Sequence, residues 1–198
     1  MTDRPALADR REVETVYRPA EDSALLAAAA VETVGAEDLV FEVGVGSGWV
    51  AARVAAETGA RVAGDDLSAD ACAEAHARGV PVVRANLLDP VADGVVDVAL
   101  CNPPYLPTPP EAEWDDPMEA ALSGGPDGRR VVDPFLDGVR RVLAPGGHAL
   151  LLVSTLTGLE EVTRRAAANG LTAEPVREES YPYERLVVLR LEPAGAPR

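Results

Sequence analysis

The segment Glu42-Val43-Gly44-Val45-Gly46-Ser47-Gly48 closes the apolar run Leu39 to Val43 and leads into a helix-forming stretch that begins at Trp49. Alternating glycines between a buried strand and a helix make the backbone turn sharply. They also leave free N–H groups at the helix start, which favour an anionic group such as a carboxylate. This is the layout of a strand–turn–helix unit in an open parallel sheet, where ligands sit at the carboxyl ends of the strands. The spacing is E-x-G-x-G-x-G, distinct from the G-x-G-x-x-G of dinucleotide-binding turns.

The remaining chain keeps the same alternation. Periodicity predicts helices over Glu21 to Val34, Trp49 to Thr58, Ser68 to Arg78 (Ser68 as N-cap), Val131 to Val142 and Thr157 to Asn169. Strands are expected over Leu39 to Val43, Arg61 to Gly64, Pro81 to Arg84, Val95 to Cys101 and His148 to Val153. Two further strands, Ala173 to Glu179 and Arg185 to Leu191, flank a short connection and read as an antiparallel hairpin. Strands alternating with helices, several of them buried on both faces, predict an α/β fold with a doubly wound, mostly parallel sheet. The length of 198 residues fits one domain spanning 1–198, with mobile ends over 1–11 and 193–198. The stretch from Leu106 to Arg130, rich in proline, glycine and acids and containing Trp114 and Met118, breaks the rhythm. It is expected to face substrate, although an ordinary surface turn has the same composition.

Charge narrows the partners. Eighteen basic residues against 33 acidic give −15, which repels a phosphate backbone over most of the surface, so nucleic acid is not an expected partner. Every basic residue is arginine. That and the acid excess point to a halophilic source or to a GC-rich genome, and the two are compatible. No apolar run reaches 18 residues and the first 14 residues are charged, so a cytoplasmic protein without a membrane span is expected. Cys72, Cys101, His76 and His148 are too few and scattered for a zinc site or disulfide framework, and no metal is expected.

Two constellations carry the chemistry. In the first, Asp66 ends the strand after the glycine turn, where doubly wound folds place a carboxylate on ribose hydroxyls. With Asp22, Glu42 and Asp65 it surrounds the glycines with acid, which suits a cationic ligand better than a pyrophosphate. S-adenosylmethionine, with a sulfonium, an ammonium, a ribose and one carboxylate, fits. In the second, Asn102-Pro103-Pro104-Tyr105 follows the strand ending at Cys101. Prolines fix φ and lack N–H groups. An asparagine oxygen and a proline carbonyl there can together accept both protons of a planar –NH2 group, and Tyr105 can stack on that group.

With these motifs, the sequence resembles the HemK-type protein glutamine methyltransferases among the class I, Rossmann-like methyltransferases, in their archaeal and eukaryotic branch. The resemblance runs from Val16-Tyr17-Arg18-Pro19-Ala20-Glu21-Asp22-Ser23 through the glycine turn and Asp66 to the Asn-Pro-Pro-Tyr motif and Ser123-Gly124-Gly125-Pro126-Asp127-Gly128-Arg129. It implies a class I fold and cofactor contacts from Asp22, Ser23, Glu42, Gly44, Gly46, Gly48, Asp66, Leu67, Asn86, Leu87 and Asn102. It also implies that Asn102, Pro103, Pro104 and Tyr105 hold the target amide. At Asn86 the family usually has an aspartate facing the adenine amine, and asparagine can accept that bond only through a neutral oxygen.

The activity implied is methyl transfer from S-adenosylmethionine to a protein glutamine amide, the substrate being the GGQ glutamine of a class 1 release factor. Adenine methylation in DNA or RNA and protein lysine methylation are the alternatives that the same residues serve. The resemblance further implies a heterodimer with a small zinc-binding activator subunit. The strand within Gly79-Val80-Pro81-Val82-Val83-Arg84, at the expected edge of the sheet, is its docking site.

Overall fold

A computed structural model describes residues 21–109 and 123–195. Helix α1 (Glu21–Thr33) begins with two acids at its positive end, Glu21 and Asp22, and buries Leu25, Leu26, Ala29 and Ala30. Strand β1 (Leu39–Val43) runs into the glycine turn, α2 (Trp49–Thr58) and β2 (Arg61–Asp66). Helix α3 (Ala69–Ala77) starts at Ser68, whose hydroxyl accepts from the Ala71 N–H at 3.3 Å, so the expected N-cap is present. Strands β3 (Val82–Arg84) and β4 (Val96–Cys101), helix α4 (Val132–Val142) and β5 (Leu143–Ser154) follow. A 3₁₀ turn (Thr155–Thr157), α5 (Leu159–Ala168), β6 (Leu171–Ser180) and β7 (Arg185–Pro193) complete the described chain.

The seven strands form one sheet in the order β3-β2-β1-β4-β5-β7-β6. β1 pairs in parallel with β2 and β4, and β4 pairs in parallel with β5. β7 runs antiparallel to β5 and to β6. The expected doubly wound sheet with a C-terminal hairpin is therefore the observed architecture. One face packs Val40, Val98, Leu100 and Leu150 under α1 and α2, and the other packs Val43, Ala99, Cys101 and Leu151 under α4 and α5. Among the described residues no helix is long and apolar enough to cross a membrane.

Several boundaries differ from the sequence reading, each for a local reason. β2 extends past Gly64 because Asp65 and Asp66 stay in register with Val83 and Arg84, which places both acids at a strand end. β5 begins at Leu143 rather than at His148: Leu143 pairs with Val96, and Gly147 lies where a Cβ would stand 2.8 Å from the Val96 carbonyl. The helix expected from Thr157 is interrupted by Gly158, whose φ of 75° ends the 3₁₀ turn before α5 begins. At the C-terminal side Pro193 pairs with Leu171, and the Ala194 N–H donates to the Gly170 carbonyl at 2.8 Å.

The turn after β1 is set by a lack of space. A Cβ on Gly64 would stand 2.2 Å from Val45 Cγ1 and 2.4 Å from the Glu42 carbonyl oxygen, while the Val45 N–H donates to the Asp65 carbonyl at 2.9 Å. No side chain fits between β2 and the turn. Gly64→Ala should therefore cost about 3 kcal/mol of unfolding free energy, at the upper end of overpacking effects, because backbone must move to admit the methyl. Denaturant unfolding of the variant beside wild type measures it.

Candidate active site

The carboxyl ends of β1, β2 and β4 lie side by side, since Val43 pairs with both Asp65 and Cys101. Everything the two sequence motifs contribute is collected there. Gly44, Gly46 and Gly48 have φ of 68°, 52° and 76°, a region that side-chain-bearing residues seldom enter. Nothing lies within 4 Å of the positions where a Cβ would sit on Gly44 and Gly46, so those two backbones border open space. Gly48 is different, because a Cβ there would meet the Ala75 backbone at 2.7 Å. Its work is to let α2 pack against α3.

Three carboxylates wrap this turn. Asp66 bridges two elements: one oxygen accepts from the Gly46 N–H at 3.0 Å and the other from the Ser68 N–H at 2.8 Å. Glu42 is 2% exposed, and Asp65, on the opposite face of the sheet, is 1% exposed. Oε2 of Glu42 and Oδ1 of Asp65 are sealed from water without a hydrogen-bond partner. Burial pushes the Glu42 carboxyl up to about 8, against a bond from the Ala51 backbone and with a further push from Asp66. Burial likewise raises Asp65 to about 7, opposed by a bond from the Gly44 backbone and reinforced by Asp66 and Asp89. Each of these buried acids is costly to ionise unless a cation or hydrogen-bond donor reaches it on its own face of the sheet.

Beyond β2, Leu67 is 65% exposed beside the turn, an apolar side chain with one face open. Leu87 adopts φ 52°, the one described non-glycine residue at positive φ, and packs partly against the core below α4. Such a conformation costs roughly 1 kcal/mol and persists only where its surroundings hold it. Arg141 does so, donating to the carbonyls of Leu88 and Val91 at 2.8 Å each. Asn86, exposed, opens this turn, and its carbonyl accepts from the Asp89 N–H at 3.2 Å.

Asn102 stands at the end of β4 with its amide orientation fixed. Its Nδ2 donates to Asp22 Oδ2 at 3.2 Å and to Ser23 Oγ at 3.4 Å, both on the first turn of α1. A carboxylate only accepts, so the nitrogen must face Asp22 and the oxygen must face away. That oxygen, Oδ1, is buried and has no partner. Pro103 is buried, and Pro104 and Tyr105 are half-buried beside it.

The segment from Ser123 to Arg130, part of the stretch expected to face substrate, packs against this motif. Leu106 bridges to Ser123, the Gly124 N–H donates to the Leu106 carbonyl at 2.9 Å, and the Thr108 N–H donates to the Gly125 carbonyl at 2.9 Å. A Cβ on Gly128 would lie 2.5 Å from the Tyr105 carbonyl oxygen, and Arg129 Nη1 donates to the Thr157 carbonyl at 2.6 Å. This brace is a packing feature the sequence reading missed. The close set of glycines at 124, 125 and 128 was its available signal. Trp114 and Met118, and Val16 to Ala20 of the opening motif, lie outside the described residues.

The comparisons with known proteins agree with this geometry. A family model described as a methyltransferase domain matches residues 41–104, the stretch from β1 to the Asn-Pro-Pro-Tyr motif. A protein of Methanocaldococcus jannaschii named as a protein N5-glutamine methyltransferase is 33% identical over 88% of this chain and 90% of its own. The mouse methyltransferase HEMK2 is 35% identical over 88% of each chain. Among solved structures, the Mtq2–Trm112 complex of E. cuniculi, described as responsible for methylating the translation termination factor eRF1, superposes with a TM-score of 0.75 at 28% identity. That match covers 91% of this chain and 99% of that one. With its glycine turn, carboxylates and oriented asparagine in one cleft, the chain belongs to the HEMK2-type protein N5-glutamine methyltransferase family.

Proposed function

We propose that this protein transfers a methyl group from S-adenosylmethionine to the side-chain amide nitrogen of a glutamine in a class 1 release factor. The observation that carries the reading is the buried, unpartnered Oδ1 of Asn102, aimed away from the Asp22 and Ser23 groups that hold its nitrogen. An acceptor so placed calls for an N–H donor. The relatives' names supply the substrate class, and the eRF1 methylase supplies the release factor.

The cleft fits the methyl donor on its own terms. The orphaned carboxylate oxygens of Glu42 and Asp65 favour a cationic ligand, the open backbones of Gly44 and Gly46 admit its methionine end, and Asp66 retains lone pairs for the ribose hydroxyls. Leu67, Asn86 and Leu87 border the adenine side. When bound, the donor supplies an electrophilic methyl carried on a sulfonium.

The chain's own residues then act by placement. Asn102 Oδ1 accepts one proton of the target –NH2, with the Pro103 carbonyl as the second acceptor, which sets the nitrogen's orientation. Asp22, hydrogen-bonded to Asn102 Nδ2, draws that amide's charge toward its oxygen and strengthens it as an acceptor. Tyr105 stacks on the planar amide, and the Gly128 contact fixes the carbonyl behind it. An amide nitrogen is a weak nucleophile, so holding it in line is the main contribution, worth up to about 7–11 kcal/mol in favourable cases.

The charge distribution argues against a nucleic-acid substrate. Arg53, Arg129, Arg141, Arg165, Arg177 and Arg185 each lie within ion-pair distance of a carboxylate rather than forming a basic strip. The partner is a small zinc-binding activator subunit docked along β3. This strand stands at the edge of the sheet, is three residues long, and presents Val83 at 45% exposure while Val82 packs inward.

Four outcomes follow. Asn102→Ala should lower turnover on the release factor by about 100-fold, the scale of losing one preorganised polar contact, with cofactor affinity nearly unchanged. Mass spectrometry of the wild-type product should place the methyl on glutamine, and a mark on lysine or adenine would overturn the assignment. Glu42 has a folded-state pKa above its unfolded one, so its stabilising influence is complete below about pH 4.5 and is lost as pH rises to about 8. The ligand-free protein should therefore lose up to about 1.4 kcal/mol per pH unit through that window, and Glu42→Gln should flatten the slope in denaturant titrations at several pH values. Finally, co-expression with the activator should give a 1:1 heterodimer by light scattering, and Val83→Glu should dissociate it.

A further inference from the structure

The other end of the sheet's upper rim carries an aromatic side chain that nothing in the catalytic cleft uses. The β6–β7 connection, Tyr181 to Glu184, lies at the same sheet end as Asn102, because β5 ends and β7 begins there: Ser154 pairs with Leu186. Its tip is held firmly. The Tyr181 N–H donates to the Glu184 carbonyl at 2.8 Å, Ser154 Oγ donates to Glu184 Oε2 at 2.6 Å, and the Arg185 N–H donates to Thr155 Oγ1 at 3.1 Å. On this hydrogen-bonded support Tyr183 is 93% exposed, and Leu156, on the adjoining 3₁₀ turn, is 46% exposed.

This rim is continuous with the catalytic residues on two sides. Tyr181 packs partly into the core beside α1, and burial together with the carboxylates of Glu179, Glu21 and Asp22 keeps its hydroxyl protonated. Asp22 is the residue that fixes Asn102. From the other direction, Arg129 of the brace behind Tyr105 donates to the carbonyl of Thr157, the last residue of the 3₁₀ turn. The surroundings carry exposed acids, Glu179 on β6 and Glu160 on the first turn of α5, while Glu178 is paired with Arg185 at 2.7 Å.

We propose that the rim formed by Tyr183 and Leu156 is the docking platform for the substrate protein, and that it receives a loop whose target amide is flanked by basic residues. The inference rests on the protein-substrate reading above. A tyrosine has only two side-chain torsions to order when it is covered, and such residues dominate the energetics of protein interfaces. The acidic border supplies complementarity to a basic segment and a salt-sensitive encounter.

Steady-state kinetics on the intact enzyme, with its activator where required, test the platform. Tyr183→Ala should raise the Michaelis constant for the release factor by about 10-fold, as for loss of an interface anchor. A short peptide bearing the target amide should keep its constants, and cofactor affinity by calorimetry should not move. Glu179→Arg should raise the same Michaelis constant and reduce its dependence on salt. Independently of turnover, a photoreactive substitution, Tyr183→p-benzoylphenylalanine, should cross-link to the release factor. An unchanged Michaelis constant in Tyr183→Ala, or no cross-link while wild type methylates the factor, would overturn the platform and leave the methylation reading standing. A cross-link with no methylation by wild type would leave the platform standing and sink the methylation reading.

Discussion

The contact on which this structure depends is the close approach of β2 to the turn after β1. Gly64 has no room for a side chain against Val45 and the Glu42 carbonyl, and the Val45 N–H is spent on the Asp65 carbonyl. Once those backbones meet, Asp66 reaches Gly46 on one side and the start of α3 on the other, so a single carboxylate ties turn, strand and helix together. The positive φ angles of Gly44 and Gly46 then leave their backbones facing open space rather than protein.

The same packing makes the cleft unstable by itself. Glu42 and Asp65 are driven inside on opposite faces of the sheet with one oxygen each unsatisfied, and burial raises both carboxyls toward or above neutrality. Folding has thus already imposed the desolvation of both carboxyls, a cost that any donor or cation able to reach either one would relieve. Asn102 shows a different form of preparation. Its nitrogen is consumed by Asp22 and Ser23, leaving its oxygen as the only free valence. Tethering α1 to β4 in this way ties the site's geometry to the position of the first described helix.

The two edges of the sheet are managed differently. β6 is long, but Pro175 interrupts its pairing register, and charged residues line it; Arg177 also binds Glu32 of α1. Proline, irregularity and charge all discourage another strand from adding there. β3 is short and keeps an exposed valine, with Arg84 turned back to the Leu67 carbonyl at 2.8 Å rather than standing guard at the edge. One edge is guarded against another strand and the other is open, and the open edge lies beside Leu67, to whose carbonyl Arg84 is bonded.

Much of this was legible in the sequence. The mostly apolar strand carrying Glu42 before three glycines, the acid ending β2, and asparagine before two prolines after β4 pointed to the alternation of elements and to the groups gathered in the cleft. Each of these signals is local, arising from backbone freedom, burial period or missing N–H groups within a few residues. What the chain alone did not disclose is set by contacts between distant segments. That Asn102 is oriented by Asp22, 80 residues earlier, depends on α1 crossing the end of β4. That Ser123 to Arg130 braces Tyr105 depends on the backbone of Gly128 closing on the Tyr105 carbonyl, where there is no space for a side chain. The strained Leu87, held through Arg141 on α4, carries no mark in its own composition. The sequence by itself determined which groups are present and which backbone shapes they permit. Tertiary structure decided which lone pairs remain unsatisfied, because that depends on which distant donors the packed core brings within 3 Å or so of each acceptor.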